Sequence, residues 1–252
     1  MDSIDTELAA RIRADIIHGV YTENERISEA QLCETHQVSR TPVRLALRIL
    51  EREGIIIRGE GRGYRIQNVT IADIRQAVQV RGHLESLGAR LMATAPQKTR
   101  FLPQMGDAIQ AIGELIDRGR LDEPTIRQMQ AANELFHTSI LKGCGNNYVA
   151  FTCQQISHLP MLSAGSMAFD RAVFGSPDKL ENGLFRLRIG NAQHKVIHDA
   201  ISNGDAARAE GMMREHSHTM IDYIETFEKR DGALTVSDLV SYAAAPFTDA
   251  KQ

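Results

Sequence analysis

Apolar residues recur at helical spacing along almost the whole chain, and this pattern limits the fold more than any other feature. One apolar residue every three or four positions buries one face of an amphipathic helix. Clusters of Gly, Asn and Pro separate the segments, for example at 143–147 and 203–205. In the second part of the chain we expect helices near 71–94, 99–118, 124–142, 147–163, 182–203 and 205–229. The fold class is therefore predicted to be mostly α.

Residues 55–69, IIIRGEGRGYRIQNV, depart from the helical pattern. Two short β-branched runs flank a Gly-rich turn, which is typical of a two-stranded hairpin. Three helices precede it, and Thr70 followed by Asp73 marks the start of the next helix. We therefore predict two domains, residues 1–69 and residues 70–252, each with a core of its own.

The composition excludes several classes of protein. With 42% hydrophobic and 24% charged residues among 252, the chain is neither disordered nor a disulfide framework. A net charge of −3 excludes a uniformly basic binder, so any nucleic-acid site must be a local patch. No apolar run approaches the roughly 18 residues of a membrane span. Cys33, Cys144 and Cys153 lack zinc-type spacing, and we expect reduced packing thiols in a cytoplasmic protein.

Residues 28–53 have the pattern of two helices joined by a short turn. Ser28 and Ser39 are candidate N-caps, and Pro42 lies in the first turn of the second helix. A helical projection of that second helix separates an apolar face from a polar one. The apolar face holds Val43, Ala46, Leu47 and Leu50, and the polar face holds Thr41, Arg44, Arg48 and Arg52. A helix-turn-helix followed by a basic hairpin is the pattern of a winged DNA-binding module.

The charge of this region supports DNA binding. From Val38 to Arg65, seven Arg stand against three Glu. Guanidinium groups suit phosphate oxygens and guanine edges, and the helix N-terminus near Ser39 adds backbone donors. A row of arginines alone is also compatible with a solvated surface. The order of helix-turn-helix and basic hairpin favours DNA.

The run Ser39-Arg40-Thr41-Pro42-Val43-Arg44, with Arg62-Gly63 after it, resembles the winged helix-turn-helix of the GntR family over about residues 8–67. The resemblance implies that the N-terminal part of the second helix enters the major groove of operator DNA and that the wing tip approaches the minor groove. Ala30 and Leu45 depart from the family pattern, which bears on the operator sequence. The residues expected to contact DNA are Ser39, Arg40, Thr41, Arg44, Arg48, Gly61 and Arg62.

In the second domain, three histidines lie on apolar helix faces. His137, His194 and His216 come from three different helices, and Asn133 lies one turn before His137. A single inward histidine is usually a core residue with a satisfied hydrogen bond. Three that converge suit Zn²⁺ or Ni²⁺, with the amide oxygen as a weaker fourth ligand. On the residues alone, both a metal site and a metal-free polar pocket remain open.

These positions also resemble the FCD effector domain of the FadR branch of GntR regulators, closest to its VanR-like six-helix form. The resemblance covers about residues 70–228. It implies an antiparallel six-helix bundle and a metal held by Asp, His, His and His, with zinc ahead of nickel. Asn133 takes the place of the Asp, so an anionic ligand is expected to complete the shell. The ligands implied are Asn133, His137, His194 and His216.

Three more polar residues share the inward faces. Arg81 and Glu85 are four positions apart, which is compatible either with a buried ion pair or with a clamp for a ligand carboxylate. Asn191 lies one turn before His194 and could hydrogen-bond the same ligand. By the resemblance, the effector is a small organic acid.

The sequence thus predicts a homodimeric, ligand-responsive transcription factor, a repressor released by its effector, and not an enzyme. One alternative is a helical metalloenzyme, which would need a general base beside the metal; among the inward faces only Glu85 offers one. Another is a metal-free regulator that senses an acyl thioester.

Overall fold

The chain forms two compact units, one made mainly of residues 1–70 and the other mainly of residues 71–234. The computed structural model describes residues 4–17, 20–21, 25–59, 63–67, 71–156, 165, 167–170, 177–228 and 239–241. Within these ranges the fold is mostly helical, which confirms the predicted class. No helix in the described ranges is long and apolar enough to cross a membrane.

The first unit contains three helices and a small antiparallel sheet with strand order β1-β3-β2. Strand β1 was not predicted, because a strand of two residues is too short to show an alternating pattern. Gly61 and Arg62, at the tip of the predicted hairpin, lie outside the described residues. The elements are α1 (Ile4–Ile17), β1 (Arg26–Ile27), α2 (Glu29–His36), α3 (Arg40–Arg52), β2 (Ile56–Arg58) and β3 (Tyr64–Ile66).

Helix α3 buries one face and exposes the other. Its buried side chains are fully covered, and each Leu of this kind contributes roughly 1.5–3 kcal/mol to folding; they are Val43, Ala46, Leu47 and Leu50. Arg13 of α1 donates to both carboxylate oxygens of Glu53, each at 2.7 Å, and this ties α1 to the end of α3. The apolar face therefore determines which side of α3 stays in solvent.

The second unit contains six α-helices among its described residues. They are α4 (Ile71–Thr94), α5 (Leu102–Asp117), α6 (Glu123–Gly143), α7 (Asn147–Ile156), α8 (Pro177–Ser202) and α9 (Ala206–Glu228). The helix predicted at 99–118 begins later, at Leu102, after a 3₁₀ turn at Pro96–Arg100. The helix predicted at 182–203 begins earlier, because Pro177 occupies its first position, where a missing N–H costs nothing. The predicted extension of α7 from 157 to 163 lies outside the described residues.

Three local features arrange the helices of the second unit. A Cβ at Gly82 of α4 would lie 2.7 Å from Cβ of Ser217 on α9, so the two helices can approach this closely only at a glycine. Helices α8 and α9 form a hairpin through Gly204, whose φ is +77°. Lys98 Nζ donates to Ala93 O and Ile201 O, which ties the ends of α4 and α8 together. The core between the helices includes Met92, Phe136, Ile197, Ile201 and Met213.

A second small sheet involves the tail of the chain, which had no sequence-based assignment. Strand β4 (Ala168–Asp170) pairs antiparallel with β5 (Leu239–Ser241). The segment just before β4 is held on α6: Gln130 donates to Gly165 O at 3.0 Å and accepts from the Met167 N–H at 2.8 Å. This arrangement places Gly165 and Met167 beside the polar cavity of the unit.

Candidate functional site

Three histidines from α6, α8 and α9 meet at one end of a cavity in the second unit. One ring nitrogen from each of His137, His194 and His216 lies within 4.8 Å of the other two. Nε2 of His194 is 3.1 Å from Nε2 of His216, and the rings of His137 and His216 stack with centroids 5.3 Å apart. The first two histidines are buried and the third is half-buried.

Neighbouring side chains determine which nitrogen of each ring is available. His137 Nδ1 donates to Glu85 Oε2 at 3.1 Å, because an ionised carboxylate has no proton to donate and can only accept. His216 Nδ1 lies 3.0 Å from Gln193 Oε1, to which it donates. In both rings Nδ1 contacts an oxygen acceptor, so Nε2 is the nitrogen left for a metal ion. Carboxylate and amide partners of this kind orient the histidine ligands of metal sites.

The electrostatics of the cluster keep His194 and His216 neutral. Burial, followed by the nearby His216 and His137, lowers the pKa of His194 well below its usual 6.5. Burial and His137 lower the pKa of His216 to about 3, with Glu85 acting in the opposite direction. Burial alone would raise the pKa of Glu85, but His137 and Arg81 outweigh it and lower that pKa to about 2. Neutral imidazoles at His194 and His216 have the protonation state that metal binding needs.

The donor set fits a metal ion. Nε2 of His137 is buried and has no hydrogen-bond partner among the described residues, which is costly unless something binds it. Ligand nitrogens around tetrahedral zinc lie about 3.3 Å apart, since each bond is about 2.0–2.1 Å long. The 3.1 Å between Nε2 of His194 and Nε2 of His216 is close to that spacing. The three histidines could therefore hold a metal ion.

Asn133, the expected fourth ligand, lines the same cavity and is 7% exposed. Its Nδ2 donates to Gly165 O, so the amide oxygen is the polar atom left to bind a group in the cavity. Gly165 has a φ of +69°, and a Cβ there would lie 2.7 Å from Asn133 O. Only glycine fits so close to α6, and its carbonyl fixes the orientation of the amide.

Arg81 and Glu85 both line the cavity from α4 and are almost fully buried. Arg81 Nε lies 3.6 Å from Glu85 Oε1, while Glu85 Oε2 is used by His137. Glu85 thus contacts two protein groups, and Arg81 is the residue of the pair that brings a positive charge to the cavity wall.

Asn191 and Arg186 line the cavity from α8. Asn191 donates through Nδ2 to Ile109 O at 3.1 Å. The Arg186 guanidinium carbon lies 3.4 Å from the centroid of the Tyr223 ring, and burial lowers the pKa of Arg186. The cavity measures about 80 Å³. At roughly 10–15 Å³ for each water-sized group, it has room for about five to eight non-hydrogen atoms.

In the first unit, the polar face of α3 is exposed as a continuous surface, which we call the α3 face. It consists of Ser39, Arg40, Thr41, Arg44 and Arg48. Ser39 occupies the N-cap of α3 without a capping hydrogen bond from its side chain, which leaves its hydroxyl for another partner. Arg44 Nε donates to Glu29 Oε2 of α2 at 2.8 Å. The terminal edge of the Arg44 guanidinium stays available for a phosphate or a guanine.

Comparisons with known proteins decide the family. Residues 5–66 match the bacterial regulatory proteins of the gntR family, and residues 76–219 match the FCD domain. The chain belongs to the GntR family of regulators with an FCD domain. It is therefore a DNA-binding transcriptional regulator of this type, and the resemblance seen in the sequence is confirmed.

Individual relatives agree with the family. The chain is 26% identical to the HTH-type transcriptional regulator YdhC of Bacillus subtilis (strain 168) over 149 residues, 59% of this chain and 64% of that protein. It is 23% identical to the HTH-type transcriptional repressor GlaR of Escherichia coli (strain K12) over 223 residues, 85% and 92% of the two chains. The solved structure of E. coli McbR/YncC shares the fold, with a TM-score of 0.60 at 15% identity over 90% of this chain and 99% of that chain.

Several residues in or beside the cavity were not identified from the sequence. Gln193 was not singled out, because its role depends on the position of His216 on another helix. Gly165 and Met167 belong to a segment without helical or strand periodicity. Arg186 was overlooked as one more charged residue on a helix, although it stands eight positions, about two turns, before His194 on the same face.

Proposed function

We propose that this chain is a ligand-responsive repressor. Residues 1–69 bind operator DNA, and residues 70–252 hold a metal ion and a small organic acid whose binding releases the DNA. The observation that carries the proposal is the convergence of His137, His194 and His216 on a cavity that also contains Arg81. Such a site binds a small anion, and the α3 face on the same chain suits DNA.

On the DNA side, the proposal rests on the exposed α3 face. Its N-terminal residues, Ser39, Arg40 and Thr41, enter the major groove with Arg44 and Arg48 behind them, and Gly61 and Arg62 of the wing approach the minor groove. Arginine and hydroxyl side chains at the start of a recognition helix contact phosphates and base edges. A role as a repressor is supported by the relative GlaR, which is a transcriptional repressor. The cytoplasm, where operator DNA is accessible, is the expected location.

On the metal side, His137, His194 and His216 hold the ion, with the Asn133 amide oxygen as a weaker fourth ligand. Imidazole ligands favour Zn²⁺, with Ni²⁺ second. When bound, the ion supplies a Lewis acid that attracts a carboxylate. Because Asn133 is neutral, no protein ligand offsets the charge of the ion, and this favours an anionic effector.

The cavity favours a small acid over the other candidates. The cavity has room for about five to eight non-hydrogen atoms, so most of an acyl thioester of a large cofactor would have to lie outside it. Arg81 supplies the cation for a carboxylate. A metalloenzyme has less support, since Glu85 is the carboxylate of the cavity and is hydrogen-bonded to His137, which leaves it poorly placed to take a proton from water.

We further propose a homodimer formed by α4 and α7. Exposed apolar side chains cluster on the two helices: Val80 and Leu87 on α4, and Tyr148 and Phe151 on α7. The helices pack together at Gly88, whose Cβ position is 3.7 Å from a methyl group of Val149. Exposed apolar patches of this kind mark protein interfaces. Effector binding would then change the spacing of two recognition helices, and a coupling of about 1–3 kcal/mol lowers operator affinity about 5- to 150-fold.

The experiment compares the native chain with the double variant His194→Ala/His216→Ala. Metal content is measured by elemental analysis, and affinity for the DNA upstream of its own gene by fluorescence anisotropy with and without short carboxylic acids. We expect the native chain to hold about one metal ion per protomer and to release DNA with an acid. The double variant should lose the metal and the response but still bind DNA.

The matched control is His218→Ala, which removes an exposed histidine from α9 and leaves the proposed dimer face of α4 intact. It should keep both the metal and the response. If the double variant His194→Ala/His216→Ala keeps its full metal content, the metal does not bind at these histidines. If the response to acid persists without metal, the metal has no part in the mechanism.

A further inference from the structure

Leu45 is an exposed apolar side chain among the polar residues of α3. It lies in the second turn of the helix and is 41% exposed, whereas the buried apolar side chains of α3 are on the other side of the helix. Since successive residues of a helix are about 100° apart, Leu45 lies about 40° from Thr41 and about 60° from Arg48 around the helix axis. Both of these neighbours are exposed. Leu45 is therefore part of the surface that α3 presents to solvent.

The charged side chains near this surface are suited to hold the DNA backbone. Arg40 and Arg44 of α3 and Arg58 of β2 line one groove in the first unit. Glu29 is the acidic residue of the groove wall, so three guanidinium groups stand against one carboxylate. Such a groove attracts phosphates, and phosphate contacts position a protein on a duplex without carrying information about its sequence. Sequence is recognised by side chains that reach the base edges.

The chemistry of leucine determines what Leu45 can contact in a major groove. Its side chain has neither a hydrogen-bond donor nor an acceptor, so it cannot recognise the polar edges of guanine, adenine or cytosine. The apolar group that a base presents in the major groove is the 5-methyl group of thymine. Contact between the two is favourable because both surfaces are removed from water. Thymine is therefore the base that a leucine at this position favours.

We propose that Leu45 is a specificity-determining residue that contacts the 5-methyl group of a thymine in each half-site of the operator. This inference rests on the proposed function, because it requires the α3 face to enter the major groove, and it adds the base feature that the helix recognises. The two protomers of a dimer make the contact twice, once in each half-site.

The test uses the full-length protein and the duplex that it binds most tightly after selection from random DNA of about 30 base pairs, long enough for two half-sites. A second version of this duplex carries deoxyuridine in place of every thymidine, which removes the methyl groups and keeps every hydrogen-bonding group. We expect the native chain to bind the uracil duplex about 10- to 20-fold more weakly in fluorescence anisotropy, since each buried methyl group contributes about a factor of four and the dimer buries two. Equal affinity for the two duplexes would overturn the inference.

Leu45→Ala tests which residue contacts the methyl group. We expect this variant to bind the thymine duplex about 10-fold more weakly than the native chain does, and its preference for thymine over uracil to fall to within about threefold. Leu45→Met, which is apolar and of similar volume, should keep most of the preference. The matched control is Leu135→Ala, which shortens a 40% exposed leucine on α6 and should bind both duplexes as the native chain does. If Leu45→Ala binds both duplexes more weakly by the same factor, the thymine preference is intact, the methyl contact belongs to another residue and the inference is refuted.

The two proposals fail in different ways. If the native chain selects one duplex from random DNA but does not distinguish thymine from uracil in it, the leucine inference is wrong and the sequence-specific regulator stands. If no duplex is enriched over random DNA, the DNA side of the proposed function fails and the inference fails with it.

Discussion

At the scale of single residues, the contact between Arg44 and Glu29 illustrates how a side chain proposed to contact DNA is positioned. Arg44 is well exposed, yet its Nε is held at 2.8 Å by a carboxylate from the neighbouring helix. An exposed ion pair of this kind contributes little to stability, about 0–1 kcal/mol. Its value is orientation, because it limits the directions in which the guanidinium edge points.

We expect Glu29→Ala to weaken specific operator binding several-fold, by roughly 1 kcal/mol, and to leave or slightly increase binding to random DNA. The orienting contact is lost, while one negative charge near the phosphates is also removed. The measurement is anisotropy on operator and scrambled duplexes at several salt concentrations. Glu34→Ala, which removes an equal charge from the exposed side of α2, is the control. The same loss of selectivity in both variants would contradict a positioning role.

The histidine cluster predicts a dependence of stability on pH in the metal-free protein. An unfolded histidine binds a proton below about pH 6.5, whereas folded His216, whose pKa is lowered to about 3, does not. The unfolded state therefore binds more protons, and the free energy of unfolding falls as the pH drops from about 6.5 toward 3, by up to about 1.4 kcal/mol per pH unit for each such group. His194 adds a contribution of the same sign.

Urea unfolding at several pH values between about 5 and 7 measures how the free energy of unfolding changes with pH. This pH range lies above the one in which protonation of Glu85 contributes to that change. We expect a smaller slope in His216→Asn and an unchanged slope in His218→Ala, whose histidine is exposed. Identical slopes in all three proteins would show that the native state does not exclude the proton from His216.

At the scale of elements, the packing of α4 on α9 depends on Gly82. A methyl group there would stand 2.7 Å from Cβ of Ser217, so Gly82→Ala forces the helices apart. We expect a loss of about 1–3 kcal/mol in the free energy of unfolding. Gly211→Ala on α9 meets nothing within 4 Å and should gain roughly 0.5–1 kcal/mol from helix propensity. Two variants of equal stability would contradict this account of the contact.

The elements also show what sequence could and could not predict. Helix α4 was predicted with its observed bounds, and the two faces of α3 follow from the spacing of Val43 and Arg44. The convergence of three histidines was predicted from their positions on apolar faces. The hydrogen bond of Glu85 to His137 and the unsatisfied Oδ1 of Asn191 were not, because each depends on which turn of one helix faces which turn of another.

At the scale of the whole molecule, the proposed dimer interface consists of exposed apolar side chains of α4 and α7. Phe151 is 56% exposed and Tyr148 81% exposed, on the same side of α7. A two-fold dimer places two recognition helices on successive turns of the major groove, so dimerisation and operator affinity are linked.

We expect Phe151→Glu to shift the protein toward monomer and to lower operator affinity about tenfold or more, since each protomer then binds alone. Light scattering after size-exclusion chromatography measures the assembly, and anisotropy measures the affinity. Phe185→Glu changes an equally exposed phenylalanine on α8 and should leave both unchanged. A Phe151→Glu protein that remains dimeric would place the interface elsewhere.

The pairing of β5 with β4 has a practical consequence for handling the protein. Strand β4 follows Gly165 and Met167, which line the cavity, and its hydrogen-bonding neighbour comes from residues 239–241. If the proposed function is correct, trimming the carboxyl end to improve crystals, or fusing a purification handle there, will alter effector affinity with every helix intact. Assays of the regulator are best run on chains whose last fifteen or so residues are untouched.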